Sequence, residues 1–272
     1  MKLSTDRILT THVGSLPRPE ELVAILRQED TGDPADQITL ESMISETVSK
    51  IVDEQIKAGI DVICDGEISK MSYHVYAKHR LSGLSNIEGS GVPGRGLPKD
   101  IQDFPDMIPE PLGGGGTELL QSAICDGPVT YSNYYPLKRD IANLKEAIEK
   151  FKPVDTFMNS VSPGCLVNYV PNKYYPGRDD YRNALVEAMR NEYNAIHKAG
   201  FVLQLDCPDL AGSRHTDHQD WPETRFLTEV EKSIEALNEA TSDIPPEAMR
   251  LHICWLNYAG PHTHDIPVSK LI

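Results

Sequence analysis

Short apolar runs rich in β-branched residues alternate with longer stretches of helical periodicity along almost the whole chain. This alternation constrains the fold more than any other feature and predicts an α/β fold with a parallel sheet. We expect strands near residues 8–13, 60–64, 128–131, 156–160, 201–206 and 250–254. Apolar residues at helical spacing predict helices over about 40–56, 141–150, 181–196 and 226–237, and the start of another at 267–272.

Residues 85–120 interrupt the alternation. They hold much of the chain's glycine and proline, including the run Gly113 to Gly116. Loops of this length in a compact domain usually have a function or move. We interpret the segment as a long loop or small excursion within a single domain that covers residues 1–272.

The composition indicates which cellular compartment and which classes of partner to expect. The 272 residues carry a net charge of −15, and such an acidic surface repels phosphate backbones, which argues against nucleic acid as a partner. Neither an apolar run of membrane-spanning length nor an apolar signal core is found, so we expect a cytoplasmic protein without a membrane partner. Five widely separated cysteines without a CxxC pair predict thiols.

Polar residues that could carry chemistry follow the predicted strands. They are Gly14-Ser15, Asp65-Gly66-Glu67, Asp206 and His252-Ile253-Cys254. A (β/α)8 barrel and an open doubly wound sheet both build their sites at the carboxyl ends of strands, so this placement alone leaves both folds open. No G-x-G-x-x-G motif follows the first strand, which argues against a dinucleotide-binding fold.

His252 and Cys254 are the sharpest candidates for a metal site. At strand spacing, residues i and i+2 point to the same side, so an imidazole nitrogen and a sulfur converge, and this combination favours zinc. A buried histidine beside a buried thiol explains the same pattern, and zinc requires further ligands. For His262-Thr263-His264-Asp265 a polar loop is the favoured interpretation, with a metal site as the alternative.

Ser15, Glu67 and Asp206 are candidates for substrate binding. A carboxylate just past a strand can hold a substrate ammonium or act as a base, but it can equally cap the next helix. Gly14 before Ser15 allows the backbone to approach a ligand closely, or it simply makes a tight turn.

Taken jointly and in order, these motifs resemble cobalamin-independent methionine synthase and, more closely, its short single-barrel relatives. The matching residues are 10–18 (TTHVGSLPR), 65–67 (DGE), 204–208 (QLDCP), 252–255 (HICW) and 257–267 (NYAGPHTHDIP). The resemblance implies a (β/α)8 TIM-type barrel. It also implies zinc on His252 and Cys254, and Ser15, Glu67 and Asp206 around the amino-acid part of a thiol such as homocysteine.

The same resemblance implies a function. It predicts a zinc-dependent S-methyltransferase of methionine biosynthesis that moves a methyl group from a reduced folate, of the 5-methyltetrahydropteroyl glutamate type, to homocysteine. A related thiol alkyltransferase of the epoxyalkane coenzyme M transferase type and a non-catalytic barrel fragment are the alternatives.

The family pattern extends further than the six strand-helix units predicted here. We therefore expect the remaining zinc ligands and the general-acid histidine beyond Ile272, with no catalytic residue within the chain. A barrel that stops after about six units would have two open edges, and we expect self-association through them.

Overall fold

The computed structural model describes residues 1–32, 35–72, 75–90, 99–107, 121–255 and 261–271. Among them are six strands: β1 (Val62–Ile63), β2 (Leu84–Ser90), β3 (Gln121–Cys125), β4 (Asp155–Val161), β5 (Val202–Cys207) and β6 (Met249–Ile253). The α-helices of these residues are α1 (Glu20–Thr31), α2 (Gln37–Lys57), α3 (Lys99–Asp103), α4 (Tyr135–Phe151), α5 (Pro163–Tyr169), α6 (Arg178–Lys198) and α7 (Glu223–Ala240).

A parallel sheet with the order β1-β4-β5-β6 forms the centre of the described residues. The three longer strands are in register at their carboxyl ends, where Val161 pairs with Asp206 and Asp206 pairs with His252. This confirms the predicted α/β fold with a parallel sheet. Strands β1, β4, β5 and β6 overlap the segments predicted near residues 60–64, 156–160, 201–206 and 250–254.

The helices form because each has an apolar face that the sheet or another helix can bury. In α2 the buried residues recur three or four positions apart, among them Leu40, Ile44 and Val48. Asp36 caps this helix by accepting hydrogen bonds from the backbone N–H groups of Ile38 and Thr39. The chain turns towards β1 at a glycine with φ +81°, Gly59.

The prediction of a first strand over residues 8–13 is wrong in extent. Only Thr11 forms a bridge, parallel to Val62, and the side chain of Ile8 is 84% exposed. The reason is local, because the carboxylate of Asp61 accepts a hydrogen bond from the backbone N–H of Thr10 that a strand would use for a ladder. Thr11 nevertheless lies beside β1.

The strand predicted near residues 128–131 is also wrong. Instead, β2 and β3 form an antiparallel pair, and Tyr131 makes only an isolated bridge with Leu81. A close approach fixes this region, since a Cβ atom on Gly83, at φ +72°, would lie 2.4 Å from the carbonyl oxygen of Gly127.

Part of the predicted excursion over residues 85–120 is thus regular structure, in β2 and α3. The Gly113 to Gly116 run lies outside the described residues, as does the 257–260 part of the family-like stretch. The helix expected from residue 267 is a single 3-10 turn, Val268–Lys270.

The contacts of Arg250 on β6 indicate that the sheet is curved. Its guanidinium donates to Oε1 of Gln204 at 2.8 Å, lies 3.7 Å from the ring centre of Phe157, and donates to Oγ1 of Thr11 at 3.2 Å. Thr11 and β6 flank opposite edges of the described sheet, yet one side chain connects them. Closure of a complete (β/α)8 ring stays a prediction.

Two further expectations bear on the chain as a whole. All five cysteines are free thiols, as predicted. No helix among the described residues is both long and apolar enough to cross a membrane.

Candidate functional site

Ser15 and Glu67 meet at the carboxyl end of β1. The Ser15 hydroxyl donates to Oε2 of Glu67 at 2.5 Å. Glu67 itself has φ +56° and follows Gly66 at φ +64°, a pair of left-handed residues that turns the chain sharply after the strand. A Cβ on Gly66 would lie 2.9 Å from a methyl carbon of Ile51, so glycine is required here by both conformation and space.

Arg18 stabilises the turn that follows β1 through hydrogen bonds to its backbone carbonyls. Its Nε donates to the carbonyl of Ile68 at 2.9 Å, and one terminal nitrogen donates at 2.5 Å to the carbonyls of Glu67 and Lys70. A planar guanidinium suits such multiple contacts because its N–H groups are fixed relative to one another. The segment that carries Ser15 is thereby tied to the turn that carries Glu67.

Asn159 on β4 connects Glu67 with Asp206. Its Nδ2 donates to Oε1 of Glu67 at 2.9 Å and to Oδ2 of Asp206 at 2.7 Å, and its Oδ1 accepts from Nζ of Lys70 at 3.1 Å. Gln204 donates to the other oxygen of Asp206 at 2.8 Å. The two carboxylates are therefore held side by side by amide groups, with both amide hydrogens of Asn159 in use.

Buried charged groups of both signs surround Glu67. Burial raises the pKa of Glu67, although the hydrogen bond from Ser15 and the charge of Lys70 oppose the rise. Burial disfavours charge on Lys70, but Asp65 above all, with Asp140 and Glu67, raises its pKa overall. Nζ of Lys70 lies 3.4 Å from Asp65. The charges of Lys70 and Arg18 thus both act on Glu67 and Asp65, and that of Arg250 acts on Asp206.

His252 and Cys254 extend the cluster onto β6. Nδ1 of His252 lies 3.3 Å from Oδ1 of Asp206. Contacts with Asp206 first, and with Cys254 next, raise the pKa of His252 to about 10. The His252 side chain is 29% exposed, so the pair lies at the open side of the cluster, where a ligand can reach it.

An imidazole nitrogen and a sulfur in contact on one strand end fit two of the four positions of a tetrahedral zinc site. Asp206 beside the imidazole is a typical arrangement for a metal-ligating histidine, because a carboxylate on the ring orients it. The residues that are present therefore fit the metal that the resemblance implies.

The five residues predicted from sequence lie together at one end of the sheet, joined through Asn159. Their roles remain predictions. Sequence reasoning missed Asn159, Lys70 and Gln204. A signal existed only for Gln204, an uncharged polar residue inside the apolar run Phe201-Val202-Leu203-Gln204-Leu205, whereas Asn159 lies among other polar residues of β4.

Comparison with known proteins supports the same relationship. Residues 8–94 match the family described as the catalytic domain of cobalamin-independent synthase. The methionine synthase of Sulfolobus acidocaldarius is 23% identical over 265 residues, covering 96% of this chain and 66% of that protein. The methionine synthase of Saccharolobus solfataricus is 24% identical over 270 residues, covering 96% and 68%.

A solved structure shows the same fold. The B12-independent methionine synthase of Shewanella sp. W3-18-1, in complex with selenomethionine, superposes with a TM-score of 0.63 at 18% identity, covering 90% of this chain and 61% of that one. The chain thus spans about two thirds of the length of these relatives. The chain is a relative of the catalytic domain of cobalamin-independent methionine synthases.

Proposed function

We propose that this chain carries the thiol-binding part of a zinc-dependent methyltransferase site. The reaction would move a methyl group from a reduced folate to a thiol such as homocysteine, and the product would be methionine. One observation carries the proposal: a continuous set of contacts runs from Ser15 through Glu67, Asn159 and Asp206 to His252. The residues proposed to bind the amino acid are thus neighbours of those proposed to bind the metal.

Glu67 and Asp206 would receive the α-ammonium group of the amino acid. Both are nearly buried, and Asn159 fixes one oxygen of each. A buried carboxylate attracts a cation more strongly than an exposed one, because little water competes. The Shewanella relative was solved with selenomethionine, an amino acid that carries such an ammonium group.

His252 and Cys254 would hold zinc at the sulfur end of the same substrate. Zinc would act there as a Lewis acid that lowers the pKa of the substrate thiol, so that a thiolate is present near neutral pH. The chain's own residues hold the geometry. Asp206 orients the imidazole of His252 while its second oxygen faces Asn159, so a single carboxylate connects the two ends of the substrate site.

We also infer that the curved sheet belongs to a (β/α)8 barrel. The support is the link from Arg250 on β6 to Thr11 beside β1, which requires the described sheet to bend through much of a ring. In a barrel, the ends of β1, β4, β5 and β6 would face one mouth, where (β/α)8 enzymes build their sites.

The first experiment measures zinc and thiol binding on the purified chain. We expect about one zinc lost per chain in Cys254→Ser and in His252→Ala. We expect weaker homocysteine binding in Glu67→Gln, with Glu239→Gln on the exposed face of α7 as the matched control. Zinc content unchanged in both metal-site variants would contradict the proposal.

A donor panel then tests the reaction. We expect methyl transfer from a methyl-folate, and transfer only from an epoxide would favour the coenzyme M transferase type instead. Thiol and zinc binding without turnover on any donor would favour the non-catalytic alternative.

A further inference from the structure

A second group of metal-ligand side chains lies beyond the site described above. It consists of His215, which follows β5, and of His262 and Asp265, which follow β6. One ligand atom from each of the three residues lies within 4.8 Å of the other two. None of them belongs to the contacts that connect Ser15 with His252.

The two measured separations suit a metal ion. Nδ1 of His262 lies 3.2 Å and Nδ1 of His215 lies 3.3 Å from the same oxygen, Oδ1 of Asp265. Ligands about 2.0–2.1 Å from a tetrahedral zinc ion are about 3.3 Å from one another by simple geometry. Each imidazole nitrogen therefore lies as far from the Asp265 oxygen as two ligands of one zinc ion lie from each other, and a ligand atom of each residue lies within 4.8 Å of the other two.

The donor set has the right chemistry. Two imidazoles and one carboxylate form the protein part of several catalytic zinc sites and of the facial triads that hold iron(II). The side chain of His215 is fully buried, so its imidazole lies on the inner side of the group, while His262 and Asp265 are partly exposed.

The loop after β6 is held so that these side chains converge. The backbone N–H and the hydroxyl of Thr263 both donate to Oδ1 of Asp100, which is completely buried. His262 has φ +56°, a left-handed conformation that a histidine adopts at some expense in energy. Strain of this kind is common at ligand sites, where surrounding contacts maintain it.

This group is distinct from His252 and Cys254 but attached to the same end of the sheet. The backbone N–H of Gly212 donates to the carbonyl of Cys254 at 3.0 Å, and Nε1 of Trp255 donates to the carbonyl of Ile266 at 2.9 Å. The two segments that carry the group are thus fixed to the strand end that carries the thiol.

We propose that His215, His262 and Asp265 form a second metal site that takes a divalent transition ion, with zinc the best match. Its ligands among the described residues are two imidazole nitrogens and one carboxylate oxygen, with no sulfur. The proposal is independent of methyl transfer, because it concerns a different ligand set.

The test is metal content of the full chain after loading with zinc and removal of excess. We expect two ions per chain, with one lost in His262→Asn or Asp265→Asn and a different one lost in Cys254→Ser. Asparagine tolerates the left-handed backbone at position 262, so the first variant should fold. His264→Asn is the matched control, because His264 contacts Asp103 instead and should keep both ions.

Cobalt(II) distinguishes the two sites by their spectra. The thiol site should give a sulfur-to-cobalt charge-transfer band, which Cys254→Ser removes and His262→Asn keeps. In the Cys254→Ser background, His262→Asn should weaken the remaining cobalt binding by at least about 100-fold, since even an outer-shell change at a metal site weakens affinity about 10- to 100-fold.

Metal content and cobalt spectra that are the same in wild type, His262→Asn and Asp265→Asn would overturn the proposal. Failure of the methyltransferase proposal looks different, because then Cys254→Ser loses no ion while the His262 and Asp265 variants still lose theirs.

Discussion

Asn159→Asp tests whether the amide between Glu67 and Asp206 is what allows two carboxylates to lie side by side. In the wild type, Nδ2 lies 2.9 Å and 2.7 Å from their oxygens, while Oδ1 faces Lys70 at 3.1 Å. The substitution hardly changes the size of the side chain. It replaces an N–H donor by an oxygen that can carry negative charge.

The magnitude follows from the distances. Charge centres about 4 Å apart interact by about 4 kcal/mol at an effective dielectric constant of about 20. Two repulsions of this size, against one attraction to Lys70, leave a loss of about 4 kcal/mol. The variant can avoid this repulsion if one carboxylate of the cluster takes up a proton. Near pH 7, protonation of an aspartate costs about 4 kcal/mol, so the expected loss is about the same by either route.

These estimates make the loss of stability depend on pH. If the carboxyl cluster of the variant takes up a proton on folding, the loss relative to wild type falls by about 1.4 kcal/mol for each pH unit of acidification. It should thus be about 4 kcal/mol near pH 7 and about 2 kcal/mol near pH 5.5. The proton belongs to the cluster as a whole rather than to one residue.

The assay is equilibrium unfolding in urea at both pH values, always against wild type at the same pH. Asn183→Asp makes the same chemical change on the exposed side of α6 and should alter the free energy of unfolding by less than about 0.5 kcal/mol at either pH. A loss for Asn159→Asp that does not change between the two pH values would refute the reasoning.

Three further predictions concern stability. In a denaturation assay, Gly66→Ala should lower the free energy of unfolding by about 3 kcal/mol, because the left-handed backbone and a steric clash both oppose a Cβ atom. Gly59→Ala has the same backbone conformation but open space around it, and it should lower the free energy of unfolding by only about 1–2 kcal/mol. Equal losses in the two variants would count against the clash. Arg18→Lys should lower the free energy of unfolding by about 1–3 kcal/mol and speed hydrogen exchange in residues 67–70, because an ammonium group cannot reach all three carbonyls that Arg18 contacts. Unchanged exchange in these residues would disprove this role of Arg18. Burial raises the pKa of Asp209 to about 6 in the folded chain, against about 4 unfolded, so its contribution to stability is present below about pH 4 and is lost as pH rises through about 6. The free energy of unfolding of Asp209→Asn, relative to that of wild type, should therefore rise by about 3 kcal/mol between about pH 4 and pH 7. A difference between the two proteins that does not change with pH would argue against this.

The sequence predicted β1 and β5 well because they lie in the apolar runs Val62-Ile63-Cys64 and Phe201-Val202-Leu203, as a parallel sheet covered on both faces requires, whereas β4 and β6 mix polar with apolar residues. It predicted Asp206 because a charge at the end of an apolar run is costly unless it is paired, and His252 because a histidine and a cysteine at strand spacing can share a zinc ion. Asn159 could not be recognised in this way, since an uncharged amide inside a strand gives no sign of which partners it will have.

The antiparallel pair of β2 and β3 could not be predicted from the sequence, for a different reason. β2 and β3 are more than thirty residues apart in sequence, and both contain glycine or serine, which weakens the alternating pattern of a strand. Residues 128–131 had the better strand composition, but Pro128 and the close approach of Gly83 to Gly127 leave room only for a bridge.

Arg250 also sets the order in which the chain can become functional during synthesis. The segment near Thr11 emerges first from the ribosome, yet one of the side chains that hold it is made 239 positions later. Until β6 has been translated and docked, Thr11 lacks its contact with Arg250 and β5 lacks the strand that pairs with one of its edges. We therefore expect nascent chains that stop before residue 249 to need chaperone protection, with the end of the sheet that carries His252 as the last part to form.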